Sequence, residues 1–249
     1  MLYHSLFKNK LSLVIIIALL LRLVSVIYSK GFGMHDDHFL TIEMPQRWID
    51  LNNFNETEPT GHSLLYPGLN YLQLLILKNI GINDPQTKMI IIRLILALYS
   101  LLVVYYSYKI TELLSNSITA YYTALLNAIL WFMPFVSVHN FVEVVCLPPL
   151  MYSIYKLLQP FKNNIFSIIL AGFIGGIAIS FRYQTSLILL GIIAFLFLKK
   201  KYRTFFLYTV GIIISLIVFQ GLIDYIFLGK PFIELYEYIK YNIYSAQDY

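Results

Sequence analysis

Charge is scarce in this chain of 249 residues, with only 12% of positions occupied by Asp, Glu, Lys or Arg. Soluble proteins carry about 25%. So few charges cannot cover a water-facing surface, which excludes a soluble globular domain and a charged disordered chain. Cysteine is nearly missing: Cys146 stands alone in an apolar run, so there is neither a disulfide framework nor a Cys-based metal site. The net charge of +5 does not come from the clustered Lys and Arg that nucleic-acid binders use. Internal repeats, low-complexity linkers and a second domain are also lacking. What is abundant is apolar surface. Residues of the AVILMFWYC set make up 59% of the chain, and the solvent for such a composition is lipid.

A bilayer is crossed by roughly 20 apolar residues in a helix. Seven stretches qualify: 11–28, 89–109, 118–137, 141–158, 164–181, 184–198 and 204–227. The stretch 64–80 is apolar but carries Pro67, Gly68, Asn70 and Gln73, and reads as a short helix lying at the interface. The first span ends in Ile27-Tyr28-Ser29-Lys30 without a small-x-small cleavage site, so it is an uncleaved anchor rather than a secretory signal. The expected fold is an all-α polytopic membrane protein of about seven helices forming one domain, 1–249. Its first outer loop, 29–88, is long and holds short interfacial helices.

Orientation follows from the basic residues. With the N-terminus in the cytoplasm, nine of them fall inside in short segments, including Lys199-Lys200-Lys201, and six fall outside in much longer ones. Of the thirteen acidic residues only Glu112 is then cytoplasmic. This places 29–88 and 228–249 together on the non-cytoplasmic face of the membrane.

The long loop concentrates the reactive side chains: Met34-His35-Asp36-Asp37-His38-Phe39, Glu43 and Gly61-His62-Ser63. Adjacent carboxylates near a membrane exit need no explanation if they are simply solvated. Here, however, Gly31-Phe32-Gly33 makes a sharp turn out of the first helix, and Asp36 is positioned to cap a new one. Adjacent residues on a helix lie about 100° apart, so only one of Asp36 and Asp37 can face a reacting atom. The other would orient it or bind a polar substrate. His35, Asp36 and His38 are ligand types that could hold a metal, but no second cluster completes a site, and no cofactor is expected.

Three arginines lie within or at the ends of spans at about the depth of lipid phosphates: Arg22, Arg93 and Arg182. Each could snorkel to ordinary headgroups. Guanidinium also matches phosphate in a bidentate way. Arg182 has the most polar setting, Ser180-Phe181-Arg182-Tyr183-Gln184-Thr185. Elsewhere the patterns read as structural. Gly172 and Gly176 form a small-xxx-small pair for helix packing, and Pro148-Pro149 is expected to kink the fourth span. Glu143, beside His139 and Asn140, reads as a partner for an arginine or as an interface residue. Asn55-Glu56-Thr57 matches a glycosylation sequon. Positions 232, 235, 236, 239 and 243 trace the apolar face of an amphipathic, Tyr-rich interfacial helix.

A carboxylate in an outer loop above embedded arginines points to chemistry on a substrate carried by a lipid phosphate. The segment Gly33-Met34-His35-Asp36-Asp37-His38-Phe39 resembles the His-Pro-Asp-Glu-type motif of Alg9-like mannosyltransferases, glycosyltransferase family 22 of the GT-C superfamily. Gly61-His62-Ser63-Leu64-Leu65-Tyr66-Pro67 and Trp131 to Glu143 are similar to later parts of the family pattern. So are Gly172 to Thr185, Asp224, Gly229, Pro231-Phe232 and Tyr241-Asn242. The likeness is nearest to bacterial, Bacteroidetes-type members. Met34 and His35 depart from the motif, standing where the family has His and Pro. Family members typically continue beyond the position where this sequence stops, so the chain is expected to correspond to the N-terminal half of the family pattern.

The resemblance implies a GT-C-like helical bundle. Its implied activity is inverting transfer of a mannose-like sugar from a polyprenyl-phosphate-linked donor to an acceptor hydroxyl on a glycan or lipid-linked acceptor. Asp36 or Asp37 would be the base, and Arg182, with Arg22 or Arg93, would stabilise the leaving phosphate. Tyr183, Gln184, His38 and Glu43 would bind sugar or acceptor groups. The competing readings are a flippase of lipid-linked sugars and a truncated, non-catalytic membrane protein. A flippase is disfavoured because the sequence has no inverted repeat and its polar groups crowd one face rather than the midplane.

Overall fold

The computed structural model describes residues 2–54, 58–159 and 164–243; the sequon at 55–57 and the last six positions lie outside them. Among the described residues the chain is helical throughout, without a strand. Among the described residues three helices are long and apolar enough to cross a membrane: Lys10–Tyr28, Pro85–Leu114 and Tyr202–Leu228. The first, 19 residues long, spans about 28 Å at 1.5 Å per residue, close to the bilayer's hydrocarbon thickness. Ile165–Phe181 and Tyr183–Leu198 are shorter apolar helices. The chain is an all-α membrane protein.

Two of the seven expected spans are interrupted, and proline is the reason. The stretch 118–137 divides into Ser117–Ile129 and Met133–Val136, with Pro134 seated in the first turn of the second piece. In 141–158 a short helix, Val142–Val145, precedes Leu147–Leu158. Pro148 and Pro149 sit at the start of that last helix, where no intrahelical donor is lost. The kink expected of them is therefore a helix start.

The contacts divide the chain into two compact units, Met1–His38 with Leu77–Lys162, and Phe39–Ile76 with Asn163–Tyr249. In the first, helices α1 (Leu2–Tyr28), α5 (Pro85–Leu114) and α6 (Ser117–Ile129) pack together. Ala120, Ala124 and Ala128 repeat every four residues along α6 and are fully buried with Val14 and Ala18 of α1 and Val104 of α5. Side chains this small let helix backbones approach where lipid offers no hydrophobic drive. The helix starts carry side-chain caps: Asp84 accepts from Thr87 N at 2.8 Å, and Asn116 from Thr119 N at 2.9 Å.

In the second unit, α10 (Ile165–Phe181) packs on α12 (Tyr202–Leu216). The expected glycine seam is the reason they fit. A Cβ on Gly172 would run into the Tyr208 carbonyl, and one on Gly176 would lie 2.5 Å from Ser215 Cβ. Gly211 of α12 returns the same close approach against the Ile169 carbonyl. The stretch read as interfacial is the helix α4 (Leu65–Asn79), 15 residues long and below the length of a span. It is tied into this unit: Asn70 Nδ2 donates to Thr41 O at 2.8 Å, and the Ser63 hydroxyl donates to the Ser180 carbonyl. Trp48, Phe54, Tyr71 and Phe227 add a cluster of rings with centroids 4.7–6.1 Å apart.

Candidate functional site

The first unit holds a cavity at the exit of α1. The helix stops at Tyr28, and Gly31 takes φ +73°, a left-handed conformation that glycine adopts without a Cβ clash. The turn is clamped by Arg93, which is 4% exposed on α5. Its Nη1 donates to Ser29 O and its Nη2 to Gly31 O, the latter at 2.5 Å. Gly33 is needed for a different reason: a Cβ there would sit 2.7 Å from a Phe141 ring carbon and 3.2 Å from His139 Cβ.

The chain then enters a short helix, His35–His38. Because it begins at His35, Asp36 lies inside its first turn and does not cap it, contrary to expectation. The two carboxylates diverge as adjacent helical positions must. The Asp36 side chain is fully exposed, 3.6 Å from His35 Nδ1. Asp37 is half-buried and lines the cavity with His38, Met89, Arg93, His139, Asn140 and the 31–34 turn. Phe32 stacks on His38 at 5.6 Å and meets His35 edge-on at 5.4 Å, which fixes the turn against the helix.

His139 is a cavity residue that the sequence reading passed over. It is 3% exposed, and its Nδ1 lies 2.8 Å from Phe135 O. A carbonyl only accepts, so Nδ1 carries the hydrogen in this bond. Burial, and then the nearby Arg93 cation, lower its pKa, against the raising effect of the Phe135 bond. Its only sequence signal was position, between two spans beside Asn140.

The second unit holds a cavity of about 440 Å³. Ile179, Leu187, Leu190, Ile193, Ile212 and Leu216 make it apolar, and Tyr183, Gln184, Gln220 and Tyr238 give it polar groups. Arg182 ends α10 half-buried in extended backbone, and its carbonyl accepts from Thr185 N and Oγ1 in the turn that follows. That turn delivers the Tyr183 ring onto Tyr238, 4.9 Å between centroids. Tyr183 is buried there, with its hydroxyl near the Gln220 and Ser63 side chains. A site of this shape suits a long apolar chain with a polar end.

Two fully buried acids support it. Asp224 accepts Gln220 Nε2 at 2.9 Å and Glu234 N at 3.1 Å, fixing the start of the helix Ile233–Ile243. Glu234 accepts Thr60 N at 2.9 Å and Gly61 N at 2.6 Å, which docks that loop on the helix. Burial pushes Glu234 up to about 7, against the lowering effect of the Gly61 and Thr60 amides. On this helix Tyr236, Ile239 and Tyr241 are exposed, while Glu234 is buried. Its periodicity put Glu234 on the polar face, so nothing in the pattern pointed to a buried carboxylate.

The sequence-derived residues thus fall into groups. Asp37, His38 and Arg93 line one cavity, Tyr183 and Gln184 the other, and Asp36, Glu43, Arg22 and Arg182 line neither. Arg22 is 1% exposed, donating Nε to Ser100 Oγ at 2.8 Å and Nη1 to Ala18 O at 3.2 Å. Among the described residues no three His, Cys, Asp or Glu side chains gather as metal ligands would.

Comparison with known proteins matches the Alg9-like mannosyltransferase family over residues 12–248. No curated protein and no solved structure matches the chain. The match runs through both units, and it takes in the acidic turn, the embedded arginines and the apolar cavity alike. On that ground the chain belongs to the Alg9-like mannosyltransferase family, as a membrane glycosyltransferase.

Proposed function

We propose that the chain transfers a mannose-like sugar, with inversion, from a polyprenyl-phosphate donor to an acceptor hydroxyl on the non-cytoplasmic face, with Asp37 as the base. The observation that carries this reading is the divergence of the acidic pair. Asp37 faces a cavity beside an arginine, while Asp36 faces solvent. In the step, the acceptor oxygen attacks the anomeric carbon as its proton passes to Asp37. The anomeric carbon–oxygen bond to the phosphate breaks, and the lipid phosphate departs with the electron pair. That developing charge calls for a cation, and Arg182 is the candidate that the sequence offers. Arg22, which bonds to Ser100, takes a packing role, and Arg93 clamps the 29–31 turn through Nη1 and Nη2, which leaves its Nε uncommitted. His38 contributes to acceptor binding. Within the second unit, Tyr183 and Gln184 offer polar groups to a donor headgroup, and the apolar cavity offers room for a prenyl chain. Glu43 remains a candidate for sugar or acceptor contacts.

The test is sugar transfer from polyprenyl-phosphate mannose by membranes carrying Asp37→Asn or Asp36→Asn. Loss of a general base costs about 10²- to 10⁴-fold in rate. That loss is expected for Asp37→Asn, with Asp36→Asn staying within a few-fold. An Asp37→Asn variant that transfers at the unsubstituted rate would remove the basis of the reading.

A further inference from the structure

Two residues that line the cavity with Asp37 each carry a buried polar atom without a hydrogen-bond partner, Arg93 Nε and His139 Nε2. Their chemistry is opposite. Arg93 has used Nη1 and Nη2 on the Ser29 and Gly31 carbonyls, leaving the Nε–H as a donor. His139 has its hydrogen on Nδ1, held by Phe135 O, so in the neutral ring Nε2 presents a lone pair. Leaving either group unmatched in a buried site is costly. A hydroxyl satisfies both at once, donating to one and accepting from the other. The space these side chains enclose admits about one water-sized group.

We infer that Arg93 and His139 form a hydroxyl-recognition site, which seats the attacking hydroxyl of a sugar acceptor beside Asp37. The inference deepens the proposed reaction and rests on that reading for the role of Asp37. His139 acts here by binding and orienting the hydroxyl, and the proton goes to Asp37. The Phe135 carbonyl selects the tautomer, and Gly33 leaves room for the Phe141 ring and the His139 Cβ. A protonated His139 would present a second donor instead, and the hydroxyl would lose its acceptor.

The experiment uses the full chain in detergent micelles with ¹⁵N-labelled histidine and methyl α-D-mannopyranoside as the acceptor probe. The His139 Nε2 resonance is expected to be that of an unprotonated nitrogen and to move saturably as the glycoside is added. In transfer assays with polyprenyl-phosphate mannose, His139→Asn keeps a donor at the Nδ1 position and removes the Nε2 acceptor. It should raise the acceptor KM about 10- to 100-fold, with the donor KM unchanged. His139→Gln, which restores an acceptor near the Nε2 position, should recover most of that loss. An Nε2 resonance that ignores the glycoside means a structural water only and overturns the inference. Equal acceptor KM values in the Asn and Gln variants overturn it too. If Asp37→Asn transfers normally, the base assignment falls, while the Nε2 titration still decides the hydroxyl site by itself.

Discussion

Glu234 makes the docking of the 60–61 loop depend on pH in a direction that can be worked out. Its carboxylate is fully buried, and burial raises its pKa from 4.5 to about 7. A carboxyl whose pKa is higher when docked holds its proton more tightly in that state. Docking is therefore strongest below about pH 4.5 and weakens as the pH rises through about 7. The gap between 4.5 and about 7, at about 1.4 kcal/mol per pH unit, sets an upper bound of about 3 kcal/mol. That corresponds to roughly a 100-fold change in the population of the opened loop. The assay is hydrogen exchange at the Thr60 and Gly61 amides, which Glu234 accepts, corrected for intrinsic exchange at each pH. Protection should fall by up to about two orders of magnitude between pH 4.5 and 7.5. In Glu234→Gln, which cannot ionise, protection should be flat across this range. Protection that rises with pH in the unsubstituted chain, or a slope that persists in Glu234→Gln, would refute the reasoning.

The helix seam and the buried arginine give two further expectations. Gly176→Val should lower the thermal midpoint in detergent by the equivalent of about 1–3 kcal/mol, because its Cβ meets Ser215 on the facing helix. Gly191→Ala, with nothing within 4 Å, should leave the midpoint unchanged or raise it slightly; equal effects of the two would contradict the packing argument. Arg22→Met removes both the cost of burying a cation and its bonds to neutral groups, so the thermal midpoint should change little. Transfer activity should persist in it, whereas a role for Arg22 on the phosphate predicts its loss.

Much was readable from the sequence because lipid imposes simple rules. Scarce charge and long apolar runs determined a helical membrane protein, since a backbone in hydrocarbon must satisfy itself within each segment. The glycine pair on α10 announced close packing correctly, and the 31–33 turn announced a sharp exit from the first helix. The ordered motifs carried the family. Pro148-Pro149 interrupts its span instead of bending a continuous helix, because two missing donors let one helix stop at Val145 and the next start at Leu147.

Other features required the tertiary structure. Asp36 and Asp37 are alike in sequence, and only the path of the chain after Gly31 turns one to solvent and the other to a cavity. His139 stands 46 positions from Arg93, and Glu234 stands 174 from Thr60, separations across which no local pattern operates. An unpartnered nitrogen or a carboxylate raised by burial is defined by what surrounds it. Those surroundings come from distant segments, so the sequence determined the medium, the helices and the family, and the packing of those helices decided which polar atoms were left to meet a substrate.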